Sequence, residues 1–226
     1  FNGMLARLEG AFQRLTDYSA DIAHELRTPI SNLMTQTQVA LSRPRTIDEY
    51  QDILASNLEE YERIARMVSD MLFLAKADEN TLAHAGEVID LAREADALID
   101  FYEALADERQ VRIVRQGQAS VQGDRLMLRR ALSNLISNAL RHTPAGGEIT
   151  ITIEADAAGV RLAVCNVGDP IPADQIERIF DRFHRGGSER TRHGEGAGLG
   201  LAITRSIVRA HGGEISARSA DGVTRF

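Results

Sequence analysis

A chain of 226 residues and 24.8 kDa is long for one domain and short for three, so two domains are expected. Hydrophobic residues at 43% and charged residues at 26% are ordinary globular composition, which argues against long disorder, and aromatics at 5% with no Trp lean the chain towards helix. A net charge of -7 and a pI near 5.4 exclude a nucleic-acid binder working by bulk electrostatics.

The single cysteine, Cys165, cannot form an internal disulfide, and in the apolar run 160–165 it reads as a small core residue in a reducing compartment. No window approaches the ~18 consecutive apolar residues that span a bilayer, and the start lacks a signal pattern. The chain therefore reads as a soluble intracellular piece. Phe1 opens inside a helical pattern and 223–226 read as a strand cut short, which points to a portion of a longer protein.

The chain divides near residue 80. Its first part reads as an antiparallel helical hairpin over 16–80. Leu5, Leu8, Phe12, Leu15, Ser19, Ile22, Leu26, Ile30 and Leu33 recur three or four apart, the stripe of a helix that packs on partners. Residues 42–46 break it, and Thr46 followed by Glu49 forms a capping box. The stripe resumes at Tyr50, Leu54, Asn57, Tyr61, Ile64, Val68, Met71 and Ala75. Two helices cannot enclose a core, so a homodimer forming a four-helix bundle is expected.

From 86 to 226 the pattern mixes α and β. Strand-like runs at 111–114, 148–153, 160–164 and 214–217 alternate with helical ones at 91–107, 124–142, 175–183 and 200–211, which predicts a two-layer α/β sandwich. Between them, residues 184–196 are polar, Gly-rich and aperiodic, the composition of a mobile loop.

In the hairpin, the segment Asp21-Ile22-Ala23-His24-Glu25-Leu26-Arg27-Thr28-Pro29 carries chemistry. At about 100° per residue, His24 lies roughly 200° from both Ile22 and Leu26 and so faces water. Glu25 can take a proton from one ring nitrogen and leave the other as nucleophile. Thr28 follows one turn later on the same face. Pro29 removes a backbone hydrogen bond and should bend the helix beyond the site, although a plain irregularity would look the same.

In the α/β part three segments suit a nucleotide. Asn134, Asn138 and Arg141 share a helical face at i, i+4 and i+7, amide oxygens suiting a phosphate-bound Mg²⁺ and the guanidinium suiting phosphate, though a merely polar face is the commoner meaning. The run 165–172 follows a strand; its Asn166 offers an acceptor for an exocyclic amine, and Gly168 lets backbone approach a flat ligand. The run 194–203 sets alternating glycines before a helix N-terminus, where backbone N–H groups meet an anion, without being a P-loop or a dinucleotide fingerprint.

Together the segments resemble a two-component sensor histidine kinase, over essentially the whole chain. His24-Glu25-Leu26-Arg27-Thr28-Pro29 is similar to the H box, 134–142 to the N box, 166–172 to the G1 box, Phe180-Asp181-Arg182-Phe183 to the F box and 196–201 to the G2 box. The resemblance implies the ATP-binding fold shared by gyrase, Hsp90, histidine kinases and MutL over 86–226, with 184–195 as ATP lid. It implies catalytic roles for His24, Glu25 and Thr28 and an ATP site drawn from Asn134, Asn138, Arg141, His142, Asn166, Gly168, Ile171, Phe183, Arg185, Gly196, Gly198, Leu199 and Gly200, with Asn138 on Mg²⁺. The implied partners are a second copy and a response regulator receiver domain. Asn166 departs from the family's usual Asp and Pro170 from its second Gly; the amide oxygen of Asn166 is a neutral, weaker acceptor for the adenine amine. Residues 124–135 and 56–61 resemble the heavy-metal sensor branch, in which a periplasmic sensor, membrane helices and a HAMP linker come first. Residues 1–15 would then end that linker, on the cytoplasmic side of a bacterial inner membrane. An ATP-driven clamp would share the nucleotide site but needs no His-Glu-x-x-Thr-Pro hairpin, and a catalytically silent scaffold has Asn166 as its sole support.

Overall fold

The computed structural model of the chain describes residues 2–78, 86–157, 159–184 and 197–226, with side chains from Ser19 onward. The chain separates into two compact units, Phe1–Ser69 and Asp70–Phe226. Predictions resting on Leu5, Leu8, Phe12, Leu15, Arg185, Gly196 and most of the lid lie outside this description.

The first unit is built on α1 (Asn2–Leu41) and α2 (Ile47–Asp78), whose last turns belong to the second unit. The capping box forms as read: the Glu49 N–H donates to the Thr46 hydroxyl (3.2 Å), and the Thr46 N–H donates to the Glu49 carboxylate (2.9 Å). Those bonds satisfy otherwise orphaned donors at the start of α2. They hold the Glu49 carboxyl below its usual range, the Thr46 backbone bond being the largest cause. Pro29 lies inside α1, fully buried, and the helix continues through it.

The stripe of α2 needs correction. Asn57 and Met71 are buried and Ile64 half-buried, but Tyr50, Leu54, Tyr61 and Val68 are exposed, as is Ile30 on α1. The buried line runs instead through Asn57, Met67, Met71 and Leu74. A helix of a four-helix bundle carries two apolar stripes, one towards its hairpin mate and one towards a neighbour. The 3.6-residue period merges them into one.

The second unit contains β1 (Glu87–Asp90), α3 (Leu91–Glu108), β2 (Arg112–Gly117), β3 (Ser120–Gly123), α4 (Arg125–His142), β4 (Glu148–Asp156), β5 (Gly159–Val167), α5 (Gly200–Ala210), β6 (Arg218–Ala220) and β7 (Val223–Arg225). A five-stranded mixed sheet has the order β2-β4-β5-β7-β6, and β1 pairs with β3 in a separate ribbon. In β4 alternation sends Ile149, Ile151 and Ile153 into the core, where they meet Leu98 of α3 and Leu132, Leu135, Ile136 and Leu140 of α4. Helices cover one face of the sheet, as a two-layer sandwich requires. Asp90 and Asp124 cap α3 and α4 with side-chain acceptors.

Three expectations change. Residues 175–183 form no α-helix, only a 3₁₀ turn at Arg178–Phe180. Consecutive Ile179 and Phe180 are both buried, which a surface helix stripe does not provide, and Phe183 has a left-handed φ of 59° that ends any helix. The run 214–217 is irregular, and the strand is Arg218–Ala220. Its pairing is counted outward from the Asp221-Gly222 turn, both residues at positive φ, so Ala220, Ser219 and Arg218 face Val223, Thr224 and Arg225. Cys165 lies on the face of β5 opposite the buried Val164, half-exposed instead of in the core. Partial burial still pushes its thiol pKa up, against the pull of Arg225.

Candidate active site

On the hairpin, His24 and Thr28 are both exposed on α1, one turn apart, while Glu25 is half-buried. Adjacent helical residues point about 100° apart, and no hydrogen bond joins Glu25 to His24. Pro29 has no N–H to give the Glu25 carbonyl, so this turn lacks one helical bond just where the histidine projects.

In the second unit, α4 is the hub of the nucleotide-like segments. Midway along it, the Asn134 amide donates to the Gly200 carbonyl (3.0 Å), which also accepts from the hydroxyl of fully buried Thr204 (2.9 Å). Asn134 thus fastens the start of α5 to α4. One turn later Asn138 is half-buried, and its side chain has no partner among the described residues. Arg141 and His142 end the helix, both exposed. Desolvation of its ring, then the charge of Arg141, hold the His142 imidazole below its usual range, with Asp169 opposing.

The C-terminal end of α4 meets the segment after β5. A Cβ on Gly168 would lie 2.4 Å from the His142 carbonyl oxygen, and Gly168 is absent from the positive-φ glycines. Space, not backbone freedom, requires glycine here, because its backbone runs close to the end of α4. Gly168→Ala forces two backbones apart and should cost about 1–3 kcal/mol. Urea denaturation of the second unit checks this.

Asn166, 4% exposed on β5, sits in register with Ile149 on one side and Thr224 on the other. Its Nδ2 donates to the Val167 carbonyl (3.0 Å), which leaves Oδ1 as the side chain's remaining acceptor. Ser219 and Thr224, which sequence reading passed over, support the segment that carries Asn166 and Ile171. Their hydroxyls bond each other at 2.8 Å, and Ser219 accepts the Ile171 N–H at 2.9 Å, pinning the turn after β5. Only the register of β6 and β7 could have announced them.

The glycine run before α5 is used twice in the described residues. Gly198 has φ +68°, and a Cβ there would lie 2.9 Å from backbone atoms of Phe183 and His184, so both conformation and space demand glycine. Leu199 is buried and caps α5 with no side-chain hydrogen bond. The first N–H groups of α5 are thus uncapped by a side chain, beside α4, as an anion site requires. Arg205 approaches Asp181 (3.4 Å) and lies over the Phe180 ring, tying α5 to the 180–183 segment. The structure thus brings predicted site residues together in three pairs, Asn134 with Gly200, His142 with Gly168, and Phe183 with Gly198.

Residues 14–80 match the His Kinase A (phospho-acceptor) domain, and residues 123–226 match the histidine kinase-, DNA gyrase B-, and HSP90-like ATPase. The chain is 51% identical over 227 residues to the sensor histidine kinase CusS of Escherichia coli K12, covering all of this chain and 47% of that protein. It therefore spans just under half the length of the curated relatives it matches. Among solved structures, the histidine kinase AdeS of Acinetobacter baumannii shares the fold at 24% identity and a TM-score of 0.75, over 90% of this chain and 94% of that one. The histidine kinase ThkA, solved in complex with the response regulator protein TrrA, superposes with a TM-score of 0.68 at 25% identity, over 95% of this chain and 61% of that one.

Proposed function

The chain belongs to the sensor histidine kinases, and from that premise we propose that it is the catalytic portion of one that phosphorylates itself on His24 and passes the phosphoryl group to an aspartate of a response regulator. One observation carries this reading: a single chain holds a solvent-facing histidine on a helical hairpin and, in a second unit, an uncapped helix start beside an amide with no described partner. An ATP-driven clamp uses the second feature and has no use for the first.

The hairpin at 16–80 is the dimerisation and phosphotransfer domain, with 1–15 leading into it, and 86–226 is the ATP-binding domain. The residues fit Mg-ATP. Asn138 presents an amide oxygen for the metal, the α5 N–H groups after Gly198 and Leu199 face phosphate, and Arg141 adds positive charge near them. Asn166 accepts from the adenine amine through Oδ1, with Gly168 and Ile171 forming the turn beneath and Phe183 and His142 as walls; the family resemblance adds Arg185 and Gly196 to the ATP-binding residues. A Mg²⁺ held at Asn138 would supply charge neutralisation at the phosphates. A neutral ring nitrogen of His24 attacks the γ-phosphorus, the bond to the β-phosphate oxygen breaks, and ADP leaves; Glu25 or water takes the ring proton. The phosphoramidate then loses its phosphoryl group to the carboxylate of the receiver domain. Incubation with γ-labelled ATP and Mg²⁺ tests the reaction, since label on histidine is acid-labile and alkali-stable; label with the opposite stability would overturn it.

The exposed apolar stripe of α2 makes the working unit a homodimer. The likeness of 56–61 and 124–135 to the heavy-metal branch makes the input a metal signal, received by a part of the protein beyond this chain. Among the described residues no helix is long and apolar enough to cross a membrane. The anchor to the bacterial inner membrane belongs to the remaining half, this portion being cytoplasmic.

Thr28 gives the enzyme a second, opposite activity. Its exposed hydroxyl, one turn past His24, orients water against the regulator's phospho-aspartate. Thr28→Ala should autophosphorylate and transfer near normally, yet remove phosphate from the regulator at least about a hundredfold more slowly, the low end of the 10²–10⁴ range that positioned groups supply. Equal impairment of both activities would instead mean that Thr28 supports the Pro29 turn.

A further inference from the structure

Asn134 fastens the start of α5 to α4, and the far end of α5 is fastened there too. His211, the C-cap of α5, accepts the Asp124 N–H through Nε2 at 3.0 Å, while its Nδ1 meets the Ile207 carbonyl at 2.8 Å. These partners fix the tautomer. A carbonyl only accepts, so Nδ1 carries the proton, and an amide N–H only donates, so Nε2 is bare. Asp124 is the N-cap of α4, and its own side chain is engaged by the Met127 N–H. A Cβ on Gly123 would lie 2.4 Å from the Cδ2 of His211, so glycine stands where the ring seats. The two joints fall at Asp124 and Asn134 along α4 and at His211 and Gly200 along α5, so the helices run antiparallel in step. At a rise of about 1.5 Å per residue the joints stand roughly 15 Å apart. One joint leaves a helix free to swing about it, and two do not.

We propose that His211 is a positioning residue for phosphoryl transfer: with Asn134 it holds the uncapped N–H groups of α5 in fixed relation to Asn138 of α4. The inference rests on the kinase reading above, in which the start of α5 and Asn138 serve the same triphosphate. Transfer needs both helices in place at once, and an ångström of misplacement costs about a hundredfold in rate. Binding is more tolerant, since the base is held on β5 and the phosphates stay on the same N–H groups. His211 stands at the opposite end of α5 from those groups and acts on them through the line of the helix.

Three variants of the whole chain test this. His211→Phe keeps a ring and removes the acceptor, His211→Gln puts its Oε1 near the place of Nε2, and Gly123→Ala displaces the ring with His211 unchanged. In the nucleotide-free protein, amide hydrogen exchange should quicken in His211→Phe at Asp124 and also at Ile203, whose N–H closes the first turn of α5 on the Leu199 carbonyl. Quickening at Asp124 alone would overturn the proposal, since His211 would then serve only its own end of the helix. At saturating ATP and Mg²⁺, labelling of His24 per folded molecule should fall at least about tenfold in His211→Phe, with ADP affinity within a few-fold of wild type. His211→Gln should recover most of the rate and of the protection at Ile203. Gly123→Ala should slow labelling as His211→Phe does, and it decides the matter where His211→Phe does not fold. A wild-type rate in either disruptive variant would overturn the role, and so would a folded His211→Gln that stays as slow as His211→Phe. A wild type that takes up no label would instead overturn the kinase reading, while exchange at Ile203 still decides whether His211 holds the start of α5.

Discussion

His24→Gln is expected to take up no acid-labile, alkali-stable label from γ-labelled ATP, while nucleotide affinity stays within a few-fold of wild type. The exposed imidazole is the only group here cast as nucleophile, and glutamine keeps the size and polarity of the side chain without a nucleophilic nitrogen. His24 packs against nothing that its replacement would undo, so the melting temperature should hold. The residues proposed for the nucleotide lie within the second unit, on α4, the end of β5 and the start of α5. Loss of phosphorylation without loss of binding therefore separates acceptor from donor. Acid-labile label retained on the variant would move the acceptor to another residue and sink the assignment of His24.

The boundaries of α3, α4 and α5 were readable because each has its own signal: Asp90 and Asp124 before the first two, and a glycine before the third. The capping box at Thr46 was readable for the same reason, since the bonds that form it span three residues. What depended on partners far along the chain was not. Asn134 read as a ligand residue by its spacing, but that spacing gave no sign that its Nδ2 also bonds the Gly200 carbonyl, 66 residues away, a bond in which its Oδ1 takes no part. Gly168 read as room for a ligand, and no local pattern showed that it also makes room for the His142 carbonyl. Thr224 and Ser219 carried no pattern at all until the turn at Asp221-Gly222 set them beside Asn166 and Ile171. Local hydrogen-bond chemistry is written in short spacings. The choice between a residue that builds a site and one that serves it is made by tertiary contacts.

Asn138→Asp should abolish phosphorylation as completely as loss of His24, but through the metal. Asn138 stands one turn beyond Asn134, half-buried and with no side-chain partner among the described residues, so aspartate, nearly its isostere, breaks no bond of the fold. Urea denaturation should accordingly match wild type. The change acts on charge. A carboxylate about 4 Å from one phosphate charge is repelled by about 4 kcal/mol at an effective dielectric of 20, before Mg²⁺ intervenes. A carboxylate would also be the stronger ligand for a Mg²⁺ held there, and would weaken the charge neutralisation that the metal would supply to the departing phosphoryl group. Nucleotide affinity can shift in either direction as these effects offset each other; the transfer rate can only fall, because both disturb the metal's placement on the triphosphate. Mixed dimers with His24→Gln add a second reading. Label on His24 in the mixture, absent from both parents, means that transfer crosses the dimer. Its absence means either strictly cis transfer or another role for Asn138, and a cis control separates the two. An Asn138→Asp homodimer that still phosphorylates His24 at a tenth of the wild-type rate or more would remove Asn138 from the metal site.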